Sequence, residues 1–190
     1  MRKYFIVATA FLLIALTACG KYTVDNGMPE KLRQEHETLL ADMLEKLKTA
    51  PTEEEKNKYT FEVGFQYQAL GRYGKAIPYY KDLLAKDKLH YTALNNLASI
   101  YEEVGEFEKA EFYLDTLAKS YTAQSEPTRD YIRLLLKLGK VDESRVWLEA
   151  FISGYPAESK GDPAFLKFVS EMYQAIFEQD QKNKKEPKTA

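Results

Sequence analysis

Two histidines and one cysteine are the side chains in this sequence with the most potential for catalysis or metal binding. His36 is followed by Glu37, but a zinc-protease helix requires a second histidine four residues after the first, and Leu40 stands there. His90 falls in a different predicted element, whereas a metal site needs several convergent ligands. Neither a Gly-x-Ser-x-Gly motif nor a phosphate-binding glycine-rich loop occurs. The residue types therefore predict no enzyme, no cofactor and no metal site.

Cys19 is the only cysteine, so an intrachain disulfide cannot form. It follows a short basic start, residues 1–3, and a nearly uninterrupted apolar run over residues 4–16. A membrane-spanning helix needs about 20 residues, so this run is too short to span. Its length is typical of the apolar part of a secretory signal.

Residues 16–19, Leu-Thr-Ala-Cys, resemble the lipobox of bacterial lipoproteins. The resemblance implies that residues 1–18 are a cleaved signal peptide and that Cys19 carries acyl chains, of which two or more anchor a protein stably. An ordinary signal with an incidental cysteine and an uncleaved anchor are the alternatives. In enteric-type sorting an aspartate after the cysteine retains a lipoprotein at the inner membrane. In a cell with two membranes, Gly20 therefore favours the outer membrane, with the protein facing the periplasm. In a cell with one membrane, the lipid anchor would place the protein on the exterior of that membrane.

Three glycines, Gly71, Gly105 and Gly139, recur at a spacing of 34 residues. Each follows apolar residues spaced four apart, such as Val63 and Tyr67, which lie on one face of a helix. Glycine ends such a helix because it enters the left-handed conformation without a side-chain clash. A second helical pattern follows each glycine. The recurrence predicts three copies of one helix-turn-helix unit, over residues 57–90, 91–124 and 125–158.

These units resemble tetratricopeptide repeats (TPRs), which carry small residues at positions eight and twenty, glycine at fifteen and an aromatic residue near eleven. The resemblance implies an all-α fold, an α–α superhelix or solenoid of three tandem repeats. The chain departs from the family pattern at two positions. The usual tryptophan at position four is Thr60, Leu94 or Thr128, and the closing proline occurs only as Pro156.

Further helical patterns flank the repeats. Residues 29–49 carry the apolar stripe Leu32, Leu39, Leu40, Met43, Leu44 and Leu47. Residues 163–178 carry the stripe Phe165, Phe168, Val169, Met172, Tyr173 and Ile176. Because a stacked array leaves an apolar face open at each end, both segments are predicted to be capping helices. Residues 19–28 are predicted to be the lipidated cysteine with a flexible tether, and residues 179–190 a disordered tail.

In the TPR family, certain first-helix positions line a concave groove that holds peptides or partner helices. Carried over by position, the resemblance implies the partner-binding residues Phe61, Phe65, Asn95, Asn96, Ser99, Glu102, Arg129 and Arg133. The Asn96 amide both donates and accepts, which suits an extended peptide backbone. The chaperone-type carboxylate clamp is not predicted, because Phe61, Phe65, Glu126 and Asp130 occupy its charged and amide positions.

For two pairs of these residues, a role within the fold is an alternative to partner binding. Phe61 and Phe65 form an aromatic pocket, or they pack as core beneath the N-terminal helix. Arg129 and Arg133 bind a carboxylate or phosphate in a fork. Alternatively they form ion pairs with Glu126, Asp130 or Glu102.

The charge of the chain argues against nucleic acid as a partner. The sequence has 27 basic and 29 acidic residues, and loss of the leader would make it more acidic. Nucleic-acid binding requires a clustered basic surface. The sequence thus predicts a non-enzymatic scaffold for protein partners at the bacterial envelope, attached to the membrane through Cys19. A binder of glycans, cell-wall fragments or another small ligand is the alternative, since 14 tyrosines and 10 phenylalanines offer rings that stack on sugars.

Overall fold

The computed structural model describes residues 22–121 and 126–185, so the leader and Cys19 lie outside the described residues. Within these ranges the chain forms eight α-helices and one short 3-10 helix, Ala157–Ser159. The α-helices are α1 (Glu30–Thr49), α2 (Glu53–Ala69), α3 (Tyr73–Lys86), α4 (Tyr91–Glu103), α5 (Phe107–Ser120), α6 (Glu126–Lys137), α7 (Val141–Gly154) and α8 (Pro163–Lys185). The all-α class predicted from the sequence is confirmed.

The helix boundaries coincide with residues that cap helices or adopt left-handed backbone conformations. Thr52 caps α2, since its hydroxyl accepts a hydrogen bond from the Glu55 amide at 3.2 Å. The turns after α2, α4 and α6 contain the three recurring glycines, Gly71, Gly105 and Gly139, with φ of 68°, 75° and 73°. These are left-handed conformations that favour glycine.

Small residues at the predicted positions let the two helices of a repeat approach. A Cβ added to Gly64 on α2 would lie 3.1 Å from the Tyr80 ring on α3. In the third repeat the Ser144 hydroxyl on α7 donates a hydrogen bond to the Ile132 carbonyl on α6 at 3.3 Å. Larger residues at Gly64 or Ser144 would force these helices apart.

The chain divides into two compact units between Val104 and Gly105, and each unit is described by itself. In unit 1, α1 packs on the first repeat, with Leu40 buried beside Val63 and Leu70. His36 Nδ1 lies 2.7 Å from Gln66 Oε1, and Arg72 forms an ion pair with Glu37. The predicted stripe of α1 is partly wrong, because Leu32 and Leu39 are exposed. At 3.6 residues per turn they lie about 80–100° around the helix from Leu40, at the margin of the face that packs on the core.

In unit 2, α8 packs on α6 and α7. Its core consists of Ile132, Val141, Leu148, Phe151, Phe165, Phe168, Met172 and Ile176. Of the predicted α8 stripe, Tyr173 is exposed. The predicted disordered tail is also wrong over residues 179–185, because α8 continues to Lys185. The Arg145 guanidinium on α7 forms an ion pair with Asp180 at 2.8 Å, which ties this extension to the third repeat.

The prediction of a flexible tether is wrong for residues 22–28. It lies along the turn between α2 and α3, where Thr23 and Arg72 form an isolated antiparallel bridge. The Val24 amide donates to the Gly71 carbonyl at 3.0 Å, and the Gly74 amide donates to the Tyr22 carbonyl at 3.2 Å. From Tyr22 onward the chain is therefore part of the folded structure of unit 1.

Candidate partner-binding surfaces

The aromatic part of the predicted surface lies on α2 in unit 1. Phe61 and Phe65 stack with ring centroids 6.2 Å apart, and Phe61 also contacts the buried Tyr80 at 6.1 Å. Phe65 is 43% exposed, and neither phenylalanine belongs to the core that α1 covers. The alternative in which both rings pack beneath the N-terminal helix is therefore wrong. Phe61 and Phe65 form an aromatic pair in which Phe65 is exposed and the half-buried Phe61 contacts Tyr80.

Tyr80, which contacts Phe61, is held in position by a hydrogen bond of its own. Its hydroxyl donates to Gln68 Oε1 on α2 at 2.7 Å. Burial raises the pKa of Tyr80, and the nearby Glu62 carboxylate raises it further. The phenol therefore stays protonated at physiological pH and remains a hydrogen-bond donor. The ring beneath Phe61 is thus neutral and fixed in orientation.

The polar part of the predicted surface lies on α4 in the same unit. Asn95 and Asn96 are half-buried, and neither amide has a hydrogen-bond partner in the part of the chain that the structure describes. Ser99 is exposed and Glu102 is half-buried. A half-buried amide without a partner among the described residues can exchange bound water for hydrogen bonds to the backbone of a bound chain.

Arg129 and Arg133 lie one turn apart on α6 in unit 2. Arg129 pairs with Glu126 at 3.7 Å and Arg133 with Asp130 at 3.0 Å. The predicted ion-pair alternative therefore describes both arginines. Burial raises the pKa of Asp130, and the Glu126 charge adds to this rise, while Arg133 and Arg129 oppose it.

The structure adds an aromatic support that sequence reasoning missed. The guanidinium carbons of Arg129 and Arg133 lie 5.5 and 5.0 Å from the centre of the Phe168 ring on α8. Arg129 also lies 5.4 Å from the centre of the Phe151 ring, and its Nε is buried with no hydrogen-bond partner among the described residues. Such contacts hold a guanidinium through the charge distribution of the ring. The apolar stripe of α8 was the only signal in the sequence, and it indicated a cap.

The two histidines have structural positions. His36 contacts Gln66 between α1 and α2, and His90 caps α4 by accepting a hydrogen bond from the Ala93 amide at 3.3 Å. No group of three or more metal-ligating side chains occurs among residues 22–121 and 126–185. Over the same residues, no helix has the length and apolar character required to cross a bilayer.

The predicted partner-binding residues thus fall into two sets. Unit 1 contains Phe61, Phe65, Asn95, Asn96, Ser99 and Glu102, and unit 2 contains Arg129 and Arg133. The first set combines the exposed ring of Phe65 with amides that have no partner among the described residues, whereas the charges of the second set are largely paired within unit 2. The exposed ring and the available amides therefore belong to unit 1.

Comparisons with known proteins bear on the repeats. A family model for the tetratricopeptide repeat matches residues 67–127. A TPR repeat-containing protein of Halalkalibacterium halodurans is 30% identical over 94 residues, which are 50% of this chain and 42% of that protein. The match thus spans less than half of the length of that relative.

Two crystal structures of MamA are similar to this chain in fold. Their TM-scores are 0.56 and 0.55, with 16% and 15% sequence identity. The similarity covers 86% and 85% of this chain, and 99% and 91% of the MamA chains. At this identity the likeness concerns the fold alone.

Proposed function

Because this chain is a tetratricopeptide-repeat protein, we propose that it is a membrane-anchored, non-enzymatic scaffold that binds protein partners of the bacterial envelope. TPR proteins generally serve as scaffolds for protein interaction. The observation that carries the proposal for this chain is the pair of half-buried amides of Asn95 and Asn96, which bond to no other described residue, in the unit that exposes Phe65. Amides hold a peptide backbone, and an exposed ring receives an apolar side chain.

Binding is tested by crosslinking inside the cell from Ser99, which is exposed on α4. With a photo-reactive residue at this position, we expect one dominant protein adduct, identified by mass spectrometry. The same residue at Ser153, exposed on the second helix of the third repeat, is the matched control and should give no such adduct. Adducts with glycan, or only diffuse adducts, would favour the alternative binder of cell-wall fragments.

Asn96→Ala should weaken binding of the crosslinked partner roughly ten- to thirtyfold, because an amide that holds a backbone makes two hydrogen bonds of about 1 kcal/mol each. The affinity is measured with purified partner by calorimetry. Far-ultraviolet circular dichroism should show unchanged helix content, since the Asn96 side chain bonds to nothing within the described fold. Full affinity in the Asn96→Ala variant would move the binding site away from α4.

The membrane anchor is tested separately at Cys19. We propose that signal cleavage leaves Cys19 as a lipidated N-terminus, at the outer membrane if the cell has one. The wild-type chain should incorporate labelled palmitate, and its N-terminal peptide should carry the mass of the acyl chains. Cys19→Ala should abolish labelling, while Lys21→Ala, two residues later, should keep it. A processed Cys19→Ala chain that stays on the membrane would contradict lipid anchoring.

A further inference from the structure

The first repeat differs from the other two in the surroundings of its glycine turn. A Cβ added to Gly71 would lie 2.2 Å from the Val24 carbonyl oxygen, whereas one added to Gly105 or Gly139 would meet nothing within 4 Å. All three glycines have the same left-handed conformation, so conformation alone does not explain the difference. Among the described residues, the turn after α2 is thus the glycine turn against which another part of the chain packs.

The segment 22–28, called the docked segment below, forms hydrogen bonds with backbone groups that helix ends leave without partners. Asn26 Nδ2 donates to the Ala69 carbonyl, at the end of α2, at 2.7 Å. The Tyr22 carbonyl accepts from the Gly74 amide, in the first turn of α3. Tyr22 then contacts Tyr101 near the end of α4, edge to face, with ring centroids 6.4 Å apart. The segment is therefore held at three helix ends on the same edge of unit 1.

This docking limits the distance between the fold and Cys19. Only Gly20 and Lys21 lie between Cys19 and Tyr22, and the three fully extended Cα–Cα steps from Cys19 to Tyr22 span at most about 11 Å. We infer that the docked segment holds the turn edge of unit 1, which comprises residues 69–75 and the end of α4, against the lipid surface. The inference rests on the proposed lipidation of Cys19. The partner of this edge is a bilayer, and unit 1 has one defined orientation on it.

The orientation is measured with the full-length lipidated protein in vesicles. Lys75 at the start of α3 and Lys88 just beyond its end are both exposed, and Lys75 lies about 17 Å along the helix axis from the last helical residue, Lys86. Lys75→Cys and Lys88→Cys each introduce one reactive thiol, because acylation occupies the thiol of Cys19. Each variant is labelled with the same fluorophore and exposed to lipids that carry a nitroxide quencher on the headgroup.

We expect several-fold stronger quenching at position 75 than at position 88. Adding Gly71→Ala, which places a methyl group against the Val24 carbonyl, should release the segment and remove most of that difference. Adding Gly105→Ala, where the methyl group meets open space, should preserve the difference. These three results together support a turn edge fixed at the membrane.

The same samples separate failure of this inference from failure of the proposed anchor. Equal quenching at positions 75 and 88 in a chain whose N-terminal peptide carries acyl mass would overturn the fixed orientation and leave lipidation intact. An N-terminal peptide without acyl mass would overturn the anchor and the orientation together. A quenching difference that survives Gly71→Ala would show that the docked segment does not set the orientation.

Discussion

Replacing Gly71 with alanine should lower the free energy of unfolding by about 3 kcal/mol, against about 1 kcal/mol for Gly105→Ala or Gly139→Ala. All three replacements place a side chain on a residue with φ near 70°, which accounts for the shared part. At Gly71 the new methyl group also meets the Val24 carbonyl at 2.2 Å. The segment must then move away from the turn, and the two backbone hydrogen bonds at Tyr22 and Val24, of about 1 kcal/mol each, are lost.

Urea denaturation followed by far-ultraviolet circular dichroism measures these differences. A chain shortened to begin at Gly27 supplies the control, because it lacks the carbonyl that the methyl group would meet. In that background Gly71→Ala should destabilise the protein no more than Gly105→Ala does. Equal effects of the two replacements in the longer chain would show that the segment 22–26 does not pack on the turn in solution.

The second large effect is expected at Phe168. Phe168→Ala should lower the free energy of unfolding by about 3–5 kcal/mol, the range for removal of a buried phenylalanine. Phe168 is 3% exposed, and its ring contacts Phe151 edge to face at 5.2 Å. Phe168→Leu retains most of the volume and should cost about 1–2 kcal/mol, since it also removes the ring beneath Arg129 and Arg133.

The fluorescence of Trp147 reports this loss, because Trp147 is the only tryptophan and packs against the same core. Phe177→Ala is the matched control: it lies on α8, is 62% exposed and should change stability by less than about 0.5 kcal/mol. If Phe168→Ala were as mild as Phe177→Ala, the packing of α8 on the third repeat would be wrong.

The repeated pattern was sufficient to predict the fold class, an all-α tetratricopeptide-repeat fold. The pattern consists of glycine at a fixed spacing and small residues where helices approach, and both are properties of single positions. Gly71, Gly105 and Gly139 all adopt the left-handed conformation that the turn requires. The sequence could not distinguish Gly71 from the other two glycines, because the difference depends on a segment far away in the chain.

The docked segment was missed because its contacts are mainly between backbone groups. Residues 22–28 have little apolar periodicity, so composition indicated a flexible coil. The amides and carbonyls that bind Val24 and Tyr22 belong to the turn and would be present with almost any side chains. The tail was misjudged for a related reason. Lysine, glutamine and glutamate are common in disordered chains, but they also favour helices, and Asp180 has a partner in Arg145.

The residues of the candidate surface could be predicted from their positions in the repeats, but the side chains that contact them could be identified only from the structure. Sequence spacing places Phe61 next to Phe65 and Arg129 next to Arg133 on a helix face. It cannot show that Tyr80 supports the first pair or that Phe168 lies beneath the second, since these partners come from other helices. The Phe65 ring therefore remains exposed, while the arginines are largely paired within unit 2.

The docked segment is also expected to pack late in folding. It bonds to a turn that must already exist, and the contact from Asn26 to Ala69 closes 43 residues of chain. Contacts between neighbouring helices close shorter loops and form earlier. The excess effect of Gly71→Ala over Gly105→Ala should therefore appear in the unfolding rate and not in the folding rate. If the docked segment fixes the proposed orientation at the membrane, that orientation should be the last property the chain acquires as it folds and the first it loses.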